Sequence, residues 1–138
     1  MNPDQLQQPT LSPMVQPILT EGINLAVVGS RTFDDYPKLK KEIDNICKQH
    51  GSIAKIISGG ANGADKLGEL YAREHNIPTQ IFIPNWNLHG KAAGIIRNRD
   101  IIFNSNMVIA FWDGKSKGTK NSIDLAKSYN LEVHTIYF

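Results

Sequence analysis

From Ile23 onward, short apolar runs alternate with longer stretches in which apolar positions recur every three or four residues. Ile23-Asn-Leu-Ala-Val-Val28 is a continuous run ended by Gly29, the pattern of a strand buried on both faces. Tyr36 to His50 follows with Leu39, Ile43, Ile46 and Cys47 on one helical stripe and charged residues between them, and Gly51 closes it. Ile53 to Ile57 predicts a second strand, Asp65 to Asn76 a second helix, and Thr79 to Ile83 a third strand ended by Pro84. Lys91 to Asn104 then reads as helix, Met107 to Trp112 as strand, Thr119 to Tyr129 as helix and Glu132 to Tyr137 as a last strand.

Strand and helix thus alternate through five strands. This predicts an α/β fold: a five-stranded, mostly parallel sheet with helices on both faces, in three layers. Right-handed crossovers leave few topologies, and the Rossmann-like order 3-2-1-4-5 is the first choice. Ligands of such sheets bind beyond the carboxyl ends of the strands where the order reverses, here between the first and fourth strands.

Residues 1–22 differ from the rest. They hold four of the seven prolines and four glutamines with little periodicity, and read as an extended or disordered arm before a domain at 23–138. Leu11, Met14, Val15, Ile18 and Leu19 dot this arm with apolar side chains, which suggests a neighbouring subunit and hence a homo-oligomer. The 138 residues suit one domain. No apolar run approaches the ~18–20 residues of a spanning helix, so no membrane partner is expected. No secretion signal is visible, and the single cysteine, Cys47, fits a reducing cytoplasm. A net charge of +2 gives no concentrated basic face, so nucleic acid is not the expected partner.

Three loops that leave strand ends are rich in glycine and small polar residues: Gly29 to Asp35, Ser58 to Asp65, and Asp113 to Thr119. Each precedes a helix, whose unpaired N–H groups and partial positive charge suit an anion. The reading is a phosphate cradle. Arg31, Lys115 or Lys117 add charge, and Ser30, Ser58 and Thr119 add hydroxyl donors. Gly60 and Gly63 are expected to allow positive φ and close approach of a ligand. Asn62 joins the second loop's candidates, and Asp65 reads as a helix cap.

Neither a P-loop nor G-x-G-x-x-G is present, since Ile109 stands where a P-loop needs glycine. Trp86, in the loop after the third strand, is placed to stack on a base or to pack over the sheet edge. Arg97 and Arg99 lie two apart on one helix, so at most one faces the site, and the pattern does not choose between them. The four histidines are far apart in sequence with no ligand spacing, so no metal site is expected. Asp34, Asp35, Asp113 and, secondarily to its capping role, Asp65 could bind ribose hydroxyls, or a Mg²⁺ ion accompanying a phosphate; no other cofactor is implied.

Four ordered blocks carry a family resemblance: GSRTF, SGGANGAD, IPNW with HGKAAGIIRNRDII, and FWDGKSKGTKNSIDLAK. They resemble the YspA-type branch of the SLOG superfamily, the Rossmann-like nucleotide-binding proteins that include DprA and the LOG phosphoribohydrolases. The resemblance spans about Ile23 to Phe138. It implies a site for a nucleotide or nucleotide-derived ligand, and in some relatives a sensing role in bacterial and phage conflict. Block by block it implies Gly29, Ser30 and Arg31, then Ser58, Gly59, Gly60, Gly63 and Asp65, then Arg97, and lastly Gly118 and Thr119. LOG enzymes place a catalytic glutamate where this chain has Ser122. A serine hydroxyl cannot replace a carboxylate as acid, base or oxocarbenium stabiliser near pH 7.

The expectation is therefore a module that binds, senses or sequesters a nucleotide-derived molecule without rapid turnover. The alternatives are a LOG-like hydrolase with Asp34, Asp35 or Asp113 as substitute acid, and single-stranded DNA binding of the DprA kind.

Overall fold

Strand-helix alternation decides the architecture. In a computed structural model that describes residues 22–138, the strands are β1 (Ile23–Gly29), β2 (Ile53–Ser58), β3 (Thr79–Ile81), β4 (Met107–Trp112) and β5 (Glu132–Tyr137). They form one sheet in the order β3-β2-β1-β4-β5, every neighbouring pair parallel, as the alternation predicts. The order reverses between β1 and β4, so a crevice opens beyond Gly29 and Trp112. The apolar arm positions, all before residue 20, lie outside the described residues.

The helices are α1 (Tyr36–His50), α2 (Ala64–Glu74), the short α3 (Trp86–His89), α4 (Ala93–Phe103) and α5 (Lys117–Ser128). Alternate β1 residues feed two cores. Leu25 and Val27 pack with Leu39, Ile43 and Ile46 of α1 and Tyr71 of α2. Ala26 and Val28 pack with Ile101 and Ile102 of α4 and Ile123 and Ala126 of α5. Each fully buried Leu or Ile contributes roughly 1.5–3 kcal/mol, so the central strands, apolar on both faces, are the fold's firmest part.

Four boundaries differ clearly from expectation. β3 stops at Ile81, although the Phe82 N–H still donates to the Ser58 carbonyl at 2.9 Å. Trp86 begins a helix rather than standing in a loop. The Asn85 side chain accepts from the Leu88 N–H at 3.0 Å, capping α3. Gly90, at φ +56, then turns the chain through a 3₁₀ stretch before α4, so the expected helix from Lys91 starts two residues later. α5 begins at Lys117, because Ser116 caps it by accepting from the Thr119 N–H at 3.3 Å.

Candidate functional site

The loop after β1 is pinned by an aromatic. Phe33 is buried, stacks on Phe111 of β4 with centroids 4.5 Å apart and meets Phe138 edge-on at 5.0 Å. This anchor leaves Arg31 and Thr32 exposed above the crevice. Buried Ser30 ties the neighbouring loops together. Its N–H donates to the Phe111 carbonyl at 2.9 Å, its carbonyl accepts from the Ala64 N–H at 3.4 Å, and its Oγ accepts from the Asp113 N–H at 3.3 Å.

The crevice is a cavity of about 550 Å³. That volume lies within the usual range for small-molecule and cofactor sites. On one side it is lined by Gly29, Ser30, Arg31 and Thr32, on the other by Ser116, Lys117, Gly118 and Thr119 at the start of α5. Trp86, Lys91, Ile95 and Arg97 close the side over α4. Trp86 and Ile95 are more than half exposed, an apolar wall facing the polar loops. Arg31, Lys91, Arg97 and Lys117 bring four cations to the lining, against the two carboxylates Asp65 and Asp113.

The start of α5 is open to an anion. Ser116 Oγ takes the Thr119 N–H, and Thr119 Oγ1 lies 3.0 Å from the same hydroxyl. The N–H groups of Lys117 and Gly118 have no acceptor among the described residues, as the first amides of a helix do not. A Cβ added to Gly118, which lines the cavity, would meet nothing within 4 Å, so the space beside it is open.

Arg97 and Asp65 form the floor. Arg97 Nη1 donates to the Gly59 carbonyl at 2.6 Å and Nε to Asn98 Oδ1 at 3.1 Å. Burial lowers the Arg97 pKa, Asp65 opposes that shift, and the Arg31 charge adds to it. Two guanidinium groups thus repel each other across the lining, a field that an anion would relieve. Asp65 is 5% exposed, and its Oδ2 accepts from the Ala61 N–H at 3.2 Å. Burial pushes its carboxyl up to about 6, against the Ala61 N–H, Arg97 and the Gly59 N–H, which favour the charged form. Asp113 Oδ1 accepts from the N–H groups of Lys115 and Ser116, both at 2.8 Å. These bonds, that of Ser116 foremost, hold its carboxyl below the usual carboxylate range.

Of the residues singled out in the sequence, Gly29, Ser30, Arg31, Asp65, Trp86, Arg97, Lys117, Gly118 and Thr119 line this one cavity. Ser58, Gly59, Gly60, Asn62 and Gly63 do not. Ser58 Oγ instead donates to Glu69 Oε2 at 2.6 Å and accepts from the Gly60 N–H at 3.1 Å. Gly59 is wedged against Arg97 and Asp65, and a Cβ on Gly60 would strike Ile83. Gly63 has the expected positive φ of +82, but what approaches it is backbone: an added Cβ would lie 2.4 Å from the Ser30 carbonyl oxygen. The glycines of the second loop therefore pack against the first loop, Arg97 and Ile83, while Ala61 and Asp65 of the same loop reach the cavity lining. Gly63, not Asp65, occupies the cap position of α2.

Arg97 lines the cavity and Arg99 is exposed elsewhere, which decides between the two. Asp34 and Asp35 are absent from the lining, and Asp35 caps α1 by accepting from the Lys38 N–H at 3.1 Å. Buried Ser122 lines the cavity, whereas exposed Asp124 pairs with Lys120 at 2.6 Å on the outer face of α5. Sequence reasoning missed Asn98, a buried residue whose Nδ2 donates to Asn121 Oδ1 at 3.1 Å and so fastens α4 to α5. An asparagine amid isoleucines on α4 was the available signal.

The fold and the placement of the crevice define a Rossmann-like α/β domain with an anion-suited cleft at the strand-order reversal. Residues 23–89 match the family model YAcAr, described as the YspA, cpYpsA-related SLOG family, and the resemblance to the YspA-type branch of that superfamily is borne out. The Gene 61 protein of Mycobacterium phage D29 is 25% identical over 113 residues, covering 78% of this chain and 90% of the phage protein. Two solved structures share the fold. DNA processing protein A (DprA) from Streptococcus pneumoniae superposes with a TM-score of 0.65 at 20% identity, over 85% of this chain and 51% of that one. The Helicobacter pylori DprA, whose structure concerns its single-stranded DNA binding mode, gives 0.63 at 24% identity, over 85% and 66%. This chain thus spans about half of the pneumococcal protein and 66% of the Helicobacter one.

Proposed function

We propose that this chain binds a nucleotide or nucleotide-derived signalling molecule in the crevice between β1 and β4, and does so without rapid turnover. The family match supports nucleotide or nucleic-acid binding in general. One observation carries the finer reading: four cations and the free amides of Lys117 and Gly118 face an exposed Trp86 and Ile95 across one cavity of about 550 Å³. A phosphate would sit between Arg31 and the start of α5, held by a planar guanidinium and a helix N-terminus. The base would lie on Trp86, whose face suits any purine or pyrimidine. Both Asp113 bonds go to Oδ1, which leaves Oδ2 for a Mg²⁺ brought in with the phosphates.

Slow turnover follows from the carboxyl groups. Cleavage of an N-glycosidic bond needs charge stabilisation at the anomeric carbon and a positioned water, functions a carboxylate usually supplies. Ser122 supplies neither. Of the three aspartates weighed as substitutes only Asp113 lines the cavity, and its own loop amides already hold one of its oxygens. Incubation with AMP, ADP-ribose and cyclic dinucleotides, followed by chromatography, should show bound but intact ligand. Many turnovers per minute, abolished in Asp113→Asn, would establish the hydrolase instead.

A second reading, single-stranded DNA binding, draws on the Helicobacter neighbour. It predicts an affinity for oligonucleotides that falls steeply with salt, with a slope set by the number of phosphates contacted. The small-molecule reading predicts a shallow dependence.

A further inference from the structure

We propose that His50, Glu132 and His134 form a binding site for a divalent first-row transition metal, Zn²⁺ foremost, on the opposite side of the sheet from the nucleotide cavity. In the sequence the histidines show no ligand spacing, and 82 positions separate His50 from Glu132. The fold brings them together. Glu132 and His134 are two apart on β5, so their side chains leave the same face. Ile136, next on that face, packs against the core that α1 covers. His50 is the last residue of α1, and Gly51 turns the chain away there, with its N–H donating to the Cys47 carbonyl at 2.9 Å. The end of α1 is thereby set over the start of β5.

The donor atoms converge. His50 Nε2 lies 3.0 Å and His134 Nε2 2.6 Å from the same Glu132 Oε2, and the three ligand atoms all fall within 4.8 Å of one another. Zn²⁺ bound at its usual distances of about 2.0–2.2 Å would hold tetrahedral ligands roughly 3.3 Å apart. Moving each imidazole away from Glu132 Oε2 by less than about 1 Å, the difference between these spacings, brings both histidine–glutamate distances to those of a shared ion. Two imidazoles and one carboxylate suit a borderline cation such as Zn²⁺ and not the all-oxygen shell of Mg²⁺ or Ca²⁺. The side chains are 30%, 47% and 28% exposed in chain order, so an ion reaches them from solvent and keeps water in the remaining position.

The consequence is structural. β5 is an edge strand, and the ion would tie its first residues to α1, a contact present only in the folded chain. Metal binding therefore adds to stability in proportion to occupancy. The site lies at the amino end of β5, whereas the nucleotide cavity lies beyond the carboxyl ends of β1 and β4, so the two sites are independent.

The test uses the full chain stripped with a chelator and titrated with Zn²⁺ against a chromophoric competitor, with Co²⁺ absorption reporting the geometry. The proposal expects one equivalent of metal, a rise in Tm on addition, and visible Co²⁺ bands of a low-coordinate site. His50→Ala and His134→Ala should each weaken binding by about a hundredfold or more, since each removes one of three protein ligands. His75→Ala and His89→Ala should leave it unchanged. If an alanine variant fails to fold, His134→Gln, which keeps size and polarity, serves in its place. Absence of saturable binding, or equal affinity in wild type and the His50 and His134 variants, would overturn the proposal.

Discussion

Arg97 Nη1 donates to the Gly59 carbonyl at 2.6 Å, a bond that joins α4 to the end of β2 beneath the cavity. The same side chain faces Asp65 and reaches Asn98, so it is held by its own protein before any ligand arrives. Arg97→Ala should therefore cost stability as well as affinity, by about 1.5–3 kcal/mol, the range for a hydrogen bond to a charged group. Arg97→Lys should not restore it, because one ammonium cannot reproduce the forked contacts to Gly59 and Asn98. Urea denaturation measures the loss directly.

Asp65 makes stability depend on pH in an unusual direction. Its carboxyl titrates at about 6 in the folded chain, where burial dominates. In the unfolded chain it titrates near 3.9. Between these values the folded state holds the extra proton, so this residue's contribution falls as pH rises from about 4 to 6, by about 3 kcal/mol at most. Asp65→Asn should remove that slope. The difference in unfolding free energy between wild type and variant, measured at pH 4, 5, 6 and 7, should shift steadily in the variant's favour, then level off.

Much of this was readable from sequence, for reasons that vary by residue. β1 and β4 are apolar on both faces and bounded by glycine or polar loops, so the parallel order followed from local pattern. The cavity-facing parts of the first and third loops were equally legible, because Arg31 directly follows the end of β1 and Thr119 lies in the first turn of the helix after β4. The packing of the second loop was not legible. Its glycines are rich enough to suggest a ligand, but Gly63 is there for the Ser30 backbone and Gly59 for Arg97. Such close packing between loops from different strands leaves no periodic trace. The same holds for Asn98 with Asn121, and for His50 with Glu132, pairs that exist only once the helices are docked. The break at Gly90 was visible in principle, since an asparagine cap and a glycine stop bracket Trp86-Asn-Leu-His89.

Gly118 separates a ligand-space role from a folding role. No atom stands within 4 Å of the Cβ it lacks, and it lies inside the first turn of α5. Gly118→Ala should thus leave stability unchanged or raise it by up to about 1 kcal/mol through helix propensity. It should still lower nucleotide affinity, because the methyl would take up open space at the cavity lining. Thermal unfolding and calorimetry on one preparation read both effects, and the opposite signs are the signature.

Arg31 tests the central claim most directly. It is exposed, and it lines the cavity beside the order reversal together with the start of α5. Isothermal titration calorimetry of AMP, ADP-ribose and cyclic dinucleotides against wild type should find saturable binding of at least one. With Arg31→Ala that binding should weaken by about 1.5–3 kcal/mol, roughly ten- to a hundredfold, while Tm stays unchanged. Equal affinity in wild type and Arg31→Ala would contradict the account, placing the phosphate away from this crevice.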